Sequence, residues 1–118
     1  MSDIVVYNKY AKFIPTLKRR ETWDDIVTRY LGMMVKKYPE LSDEIMSRGQ
    51  SIYKKEILPS MRAVQFAGPA IERNEARLYN CGYMPIKDYR AFSELMFLLL
   101  GGTGVGYSVQ KHHVEQLP

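Results

Sequence analysis

The chain has 118 residues, 46% of them hydrophobic and 25% charged, with a formal net charge of +4 and a single cysteine. This size allows one modest core, the composition excludes a disordered chain, and one cysteine excludes an internal disulfide and any multi-cysteine metal site. The longest apolar run, Leu95–Leu100, is too short to cross a bilayer, and the N-terminus lacks the basic-then-apolar layout of a signal peptide. A cytoplasmic protein with no membrane partner is therefore expected.

Residues 1–20 read as an irregular or extended lead-in, with Val5, Tyr7, Tyr10 and Phe13 as anchors and Pro15 as a breaker. A helix is predicted from Thr22, whose side chain can cap it while Asp25, three residues on, completes a capping box. Asp24 and Asp25 suit the positive helix start, Lys36 and Lys37 suit its end, and Pro39 stops it. Trp23, Ile26, Val27, Tyr30, Leu31 and Met34 recur at three-and-four spacing and form its buried stripe. A second helix is expected from Ser42 to Glu56, with Ile45, Met46, Ile52, Tyr53 and Ile57 inward and Gly49 as a weak point. Ser60 then reads as the cap of a short helical turn that Gly68-Pro69 closes, and residues 70–77 read as a polar loop.

Leu78 to Ile86 forms a β-prone run containing Cys81. A helix follows over Asp88–Leu100, capped by Asp88 and ended by Gly101-Gly102, and its apolar residues nearly encircle it, so burial on most sides is expected. "TGVGYSVQ" reads as a glycine-rich entry into another strand, and "KHHVEQLP" ends the chain without a closing helix. Neither strand has an evident pairing partner, which would expose backbone donors and acceptors, so the pattern reads as a piece of something larger. The expected organisation is a mainly helical region, 1–76, followed by strand-and-helix structure in 77–118.

The basic residues are strung along the chain, and the one run, Lys18-Arg19-Arg20, is followed at once by Glu21, Asp24 and Asp25. A solvated surface explains this better than a nucleic-acid site, which needs several cations on one face. Adjacent strand residues point to opposite faces, so His112 and His113 are not expected to share a metal. The acidic pairs at helix starts are explained by capping, and no pair forms a convincing acid–base couple. "GGTGVG" follows a helix and lacks the lysine of a phosphate-binding loop. Its glycines serve either a helix end with close packing or a close approach to a ligand. Cys81, between Asn80 and Gly82, is either a small buried hydrophobe or a functional thiol.

Three ordered stretches, "YNKYAKFIPTLKRRETWDDIV", "LPSMRAVQFAGP…LYNCGYMPI" and "FSELMFLLLGGTGVGYSVQKHHVEQLP", together resemble the N-terminal part of ribonucleotide reductase large subunits. The resemblance is to class II enzymes of the monomeric ribonucleoside-triphosphate reductase type and covers about Tyr7 to Pro118. It implies an α/β fold, α+β as a fragment, comprising the N-terminal helical region and first strands of a ten-stranded barrel. It also implies adenosylcobalamin as cofactor, a thiyl radical elsewhere in the enzyme, and Cys81 as one of two reducing cysteines. Ser60 and Asn80 are expected at the substrate, and Gly102 and Gly104 near substrate and cofactor. The implied partners are the remainder of the reductase, a ribonucleoside triphosphate, a deoxynucleotide effector and a thioredoxin-like reductant. The second redox cysteine and the thiyl cysteine lie further along in such enzymes, so an incomplete and inactive fragment is expected, with no ATP-cone upstream. Two alternatives are a class I-type fragment with a metal-based radical source and a non-catalytic basic nucleic-acid-binding module.

Overall fold

The computed structural model describes residues 3–118 and divides into two compact units, one running to Arg73 and one formed by Asn74–Pro118.

The first unit is built on helix α2, Trp23–Lys37. The predicted capping box forms: Thr22 Oγ1 accepts the Asp25 N–H at 3.3 Å, and Asp25 Oδ2 accepts the Thr22 N–H at 2.9 Å. Asp25 also takes a 2.6 Å ion pair from Arg19, and these bonds hold its carboxyl at about 2. Helix α3, Ser42–Tyr53, packs Ile52 against Val27 and Leu31 of α2, with Ile45 and Tyr53 partly buried around them. The Trp23 indole N–H is shared between the carbonyls of Ile52 and Tyr53, each at 3.1 Å, and its ring touches both core clusters.

Several expectations need correction here. Residues 3–20 are regular: helix α1, Asp3–Lys9, precedes an antiparallel pair, β1, Phe13–Ile14, and β2, Arg19–Arg20. Val6 and Ala11 enter the core with Ile26 and Val64, whereas Val5, Tyr7 and Phe13 are exposed. Met46 and Ile57 are also exposed, because α3 stops at Tyr53 and only one of its faces meets α2. Gly49 is a contact and not a defect: a Cβ there would lie 2.5 Å from Leu31 Cδ1, so its bare backbone lets the helices approach. After α4, Met61–Phe66, the residues read as a loop form α5, Pro69–Arg73, and a 3-10 turn over Glu75–Leu78. Pro69 both ends the preceding turn and opens α5, because proline's fixed φ and missing N–H suit a first helical turn.

A buried polar cluster ties these elements together. Arg29 clamps Glu21 with two bonds, Nε to Oε1 at 2.7 Å and Nη2 to Oε2 at 2.8 Å, and Lys12 N–H adds a third at 2.9 Å. Arg29 Nη1 donates to the carbonyls of Val64 at 3.1 Å and Ala67 at 2.9 Å, and Lys12 Nζ reaches Ala67 O at 2.9 Å. Burial alone would raise the Glu21 carboxyl, but Arg29 and Lys12 outweigh it and leave it below its ordinary value. The Lys12 ammonium is depressed by burial and by Arg29, with Glu21 opposing.

The second unit is a β–α–β arrangement. Strands β3, Cys81–Pro85, and β4, Gly104–Ser108, pair in parallel, with helix α6, Arg90–Leu100, as the crossover. The strands that seemed to lack partners therefore pair with each other across a helix, as parallel strands must. Asp88 Oδ1 accepts the Ala91 N–H at 3.0 Å, so it serves the helix start although regular helix begins at Arg90. The expected burial of α6 is not met within this unit: Ala91 is buried, but Phe92, Met96, Phe97, Leu99 and Leu100 are exposed, Leu100 at 82%. The end of the chain carries a short helix, α7, Lys111–Val114, where none was expected.

Candidate functional site around Cys81

Cys81 opens β3 as an exposed free thiol, so within this unit it is not a buried filler. Its register partner on β4 is Gly104, and the next residue on the same face, Tyr83, faces Gly106. Side chains alternate along a strand, so Cys81 and Tyr83 share a face whose β4 side carries no side chain at those two positions. All four residues are exposed. The opposite face carries Gly82, Met84 and Val105, all half-buried, and Tyr107, which is exposed.

The glycines divide into two kinds. Gly102 has φ of +91°, a left-handed turn just past the end of α6, so the helix terminator accounts for it. Gly104 and Gly106 have no such constraint, and a Cβ on them would meet only backbone oxygens at 3.5 and 3.9 Å, ordinary contact distances. Nothing inside this unit requires glycine there. What their absence of side chains leaves is open backbone beside the Cys81 thiol.

Asn80 precedes the strand and is exposed; its carbonyl accepts the Gly104 N–H at 2.8 Å, starting the ladder. Its backbone oxygen is thus committed, and the side-chain amide is the part left for a ligand. Thr103 is a residue that sequence reasoning passed over. It is 2% exposed, and its hydroxyl donates to the carbonyls of Ala76, 3.2 Å, and Tyr79, 3.3 Å. It therefore pins the chain before Cys81 to the turn before β4. The available signal was a single β-branched hydroxyl inside a run of glycines.

Ser60 lies in the first unit, at the N-cap position of α4. Its carbonyl accepts the Val64 N–H at 3.0 Å, but its side chain makes no capping bond, contrary to the cap expected from sequence, and is exposed. The hydroxyl is uncommitted. The structure thus brings Cys81, Asn80 and Gly104 together, with Gly102 at the adjacent turn, while Ser60 belongs to the other unit.

His113 Nδ1 lies 2.9 Å from Ser108 Oγ, in a bond whose donor is set by the imidazole tautomer, and the same oxygen accepts the Gln110 N–H at 3.3 Å. Burial first, then the nearby charges of His112 and Lys87, lower the His113 pKa. Among the described residues no three potential metal-binding side chains cluster, and no helix is long and apolar enough to cross a membrane.

No known family profile matches the chain. Curated relatives do. The adenosylcobalamin-dependent ribonucleoside-triphosphate reductase of Lactobacillus helveticus is 27% identical over 148 aligned residues, covering 97% of this chain and 20% of the relative. The enzyme of the same name from Lactobacillus leichmannii is 25% identical over the same coverage. A solved crystal structure of a B12-dependent, class II ribonucleotide reductase matches with a TM-score of 0.80 at 24% identity, covering 98% of this chain and 21% of that one. The aligned stretch exceeds the 118 residues of this chain, so the relatives carry inserted residues within it. Over nearly all of its own length the chain is thus similar in sequence to about a fifth of an adenosylcobalamin-dependent ribonucleoside-triphosphate reductase, and in fold to about a fifth of a B12-dependent, class II ribonucleotide reductase.

Proposed function

We propose that this chain is the N-terminal segment of an adenosylcobalamin-dependent ribonucleoside-triphosphate reductase and that Cys81 is one of its two reducing thiols. The observation that carries the reading is coverage: relatives sharing one enzyme name match 97% of the chain. The exposed thiol beside side-chain-free Gly104 supports it, because a ribose must come within van der Waals reach of the sulfur.

Cys81 and a second thiol outside this chain each give up one electron and one proton. The ribose loses its 2′-hydroxyl as water, a C–H bond replaces the C–O bond, and the two sulfurs join as a disulfide. A thioredoxin-like reductant then returns both to thiols. Asn80 contributes its side-chain amide to the ribose. Ser60 offers its free hydroxyl to the substrate's phosphates or ribose. Adenosylcobalamin, when bound, supplies the radical that starts the sequence and that a thiol of the missing portion carries. The side-chain-free backbone at Gly102 and Gly104 fits a bulky neighbour at close range and offers it no side-chain ligand, and most of that cofactor's binding belongs to the rest of the enzyme.

In this reading β3 and β4 are early strands of the ten-stranded barrel, and the exposed apolar face of α6 is covered by the remainder of the reductase. The ribonucleoside triphosphate, a deoxynucleotide effector and the cytoplasm complete the setting. The test joins this segment to the remaining portion and measures deoxynucleotide formation with adenosylcobalamin. Cys81→Ser should abolish turnover while tritium exchange from the cofactor into water persists. Unchanged turnover in that variant would sink the reductant role.

A further inference from the structure

The first unit contains a buried ionic cluster that the proposed chemistry does not use. Helix α4 has six residues, too few to be stable through its own hydrogen bonds. It is held instead at its C-terminal end, where carbonyls carry the negative pole of the helix. Arg29 Nη1 takes the carbonyls of Val64 and Ala67, and Lys12 Nζ takes Ala67 again. The Glu21 carboxylate locks the guanidinium in a planar fork, with 2.7 and 2.8 Å bonds from Nε and Nη2. Glu21 is 7% exposed, and no buried side-chain polar atom among the described residues lacks a partner.

Val64 links this clamp to the other end of the helix. Its carbonyl is held by Arg29, and its N–H donates to the Ser60 carbonyl at 3.0 Å. One residue therefore couples the guanidinium to the backbone that carries the Ser60 hydroxyl, and that hydroxyl has no capping bond to fix it locally. We infer that Arg29, held by Glu21 and assisted by Lys12, is a positioning residue for substrate binding. It sets the backbone of the α4 turn so that the Ser60 hydroxyl meets an anionic or ribose oxygen of the substrate. The inference rests on the proposed role of Ser60. Arg29 itself touches no substrate; it acts through the Val64 peptide.

The experiment is a double-variant cycle in the complete reductase polypeptide, reading KM for a ribonucleoside triphosphate and kcat separately. Ser60→Ala and Arg29→Met should each raise KM roughly tenfold with kcat within about twofold, and the double variant should be no worse than either single. Ile52→Ala, which weakens the packing of α3 on α2 without touching α4, controls for general destabilisation and should leave KM alone. Should Arg29→Met not fold, Lys12→Met keeps the ion pair, removes one bond to Ala67, and should raise KM by a few-fold with the same non-additivity. A raised KM in Ser60→Ala alone, or additive losses in the double variant, overturns the positioning role while leaving Ser60 in place. An unchanged KM in Ser60→Ala removes the Ser60 reading and the inference with it.

Discussion

Replacing Glu21 by glutamine tests the claim that the first unit is fastened by one buried ion pair. The carboxylate accepts Arg29 Nε at 2.7 Å, Arg29 Nη2 at 2.8 Å and the Lys12 N–H at 2.9 Å. A carboxamide has the same shape but turns an NH2 group toward at least one of these donors, and it leaves a largely buried guanidinium without its counter-charge. Breaking one side of a buried pair costs about 3–5 kcal/mol. Arg29 keeps its bonds to Val64 and Ala67, so the lower end applies, about 3 kcal/mol. Trp23 is the only tryptophan and contacts both core clusters of this unit, so its fluorescence reports the unfolding. With a urea slope of about 1–1.5 kcal/mol/M for a unit this size, the midpoint should fall by about 2–3 M. Adding Arg29→Met to Glu21→Gln should cost at least about 1 kcal/mol less than the sum of the single losses. A Glu21→Gln midpoint within about 0.3 M of the parent would refute the reasoning.

Other outcomes follow from single contacts. Asp25 titrates at about 2, below its ordinary 3.8, because Arg19 and Thr22 bind its charged form. A depressed carboxyl contributes stability that is full above the ordinary value and is lost as pH falls through the folded one. Melting temperature should therefore drop between pH 4 and pH 2, and Asp25→Asn should flatten that part of the profile; an unchanged slope would contradict the ion pair and capping box. Gly49→Ala should lower stability by about 1 kcal/mol through overpacking against Leu31, yet raise it in a Leu31→Ala background, where the added methyl meets space and helix propensity prevails. A loss of equal size in both backgrounds would show that the close approach is not the cause. Replacing Phe97 and Leu100 by glutamine should reduce aggregation and hydrophobic-dye binding of the isolated chain without lowering its melting temperature, since both side chains are exposed. A lowered melting temperature would show that they pack within the chain.

What could be read from the sequence was what is decided locally. The Thr22 and Asp25 capping box, the Ile26–Val27–Leu31 stripe and the end of α6 at Gly101-Gly102 each depend on residues within two turns, and each appears as read. Pairing was not legible, because β3 and β4 are joined through α6 and neither strand carries a mark of the other. Helix α1 was missed for a related reason. Its Val5-Val6 pair is β-prone, and what decides the conformation is Val6 entering a core made by Ile26 and Val64, far along the chain. The Glu21–Arg29 clamp was hidden in what looked like a solvated charge run, since burial is invisible in a list of charges. At the site, Cys81 could be singled out, but its exposure and its register with Gly104 come from strand pairing alone. Thr103 was passed over because a buried hydroxyl between glycines looks like any turn residue.

The central claim is that Cys81 is half of the dithiol that reduces the substrate. The most direct measurement is a single turnover by the complete, prereduced enzyme without external reductant, followed by disulfide mapping of the products. The account predicts one disulfide containing Cys81 for each deoxynucleotide formed. Deoxynucleotide formed in full while Cys81 is recovered as a free thiol would contradict it.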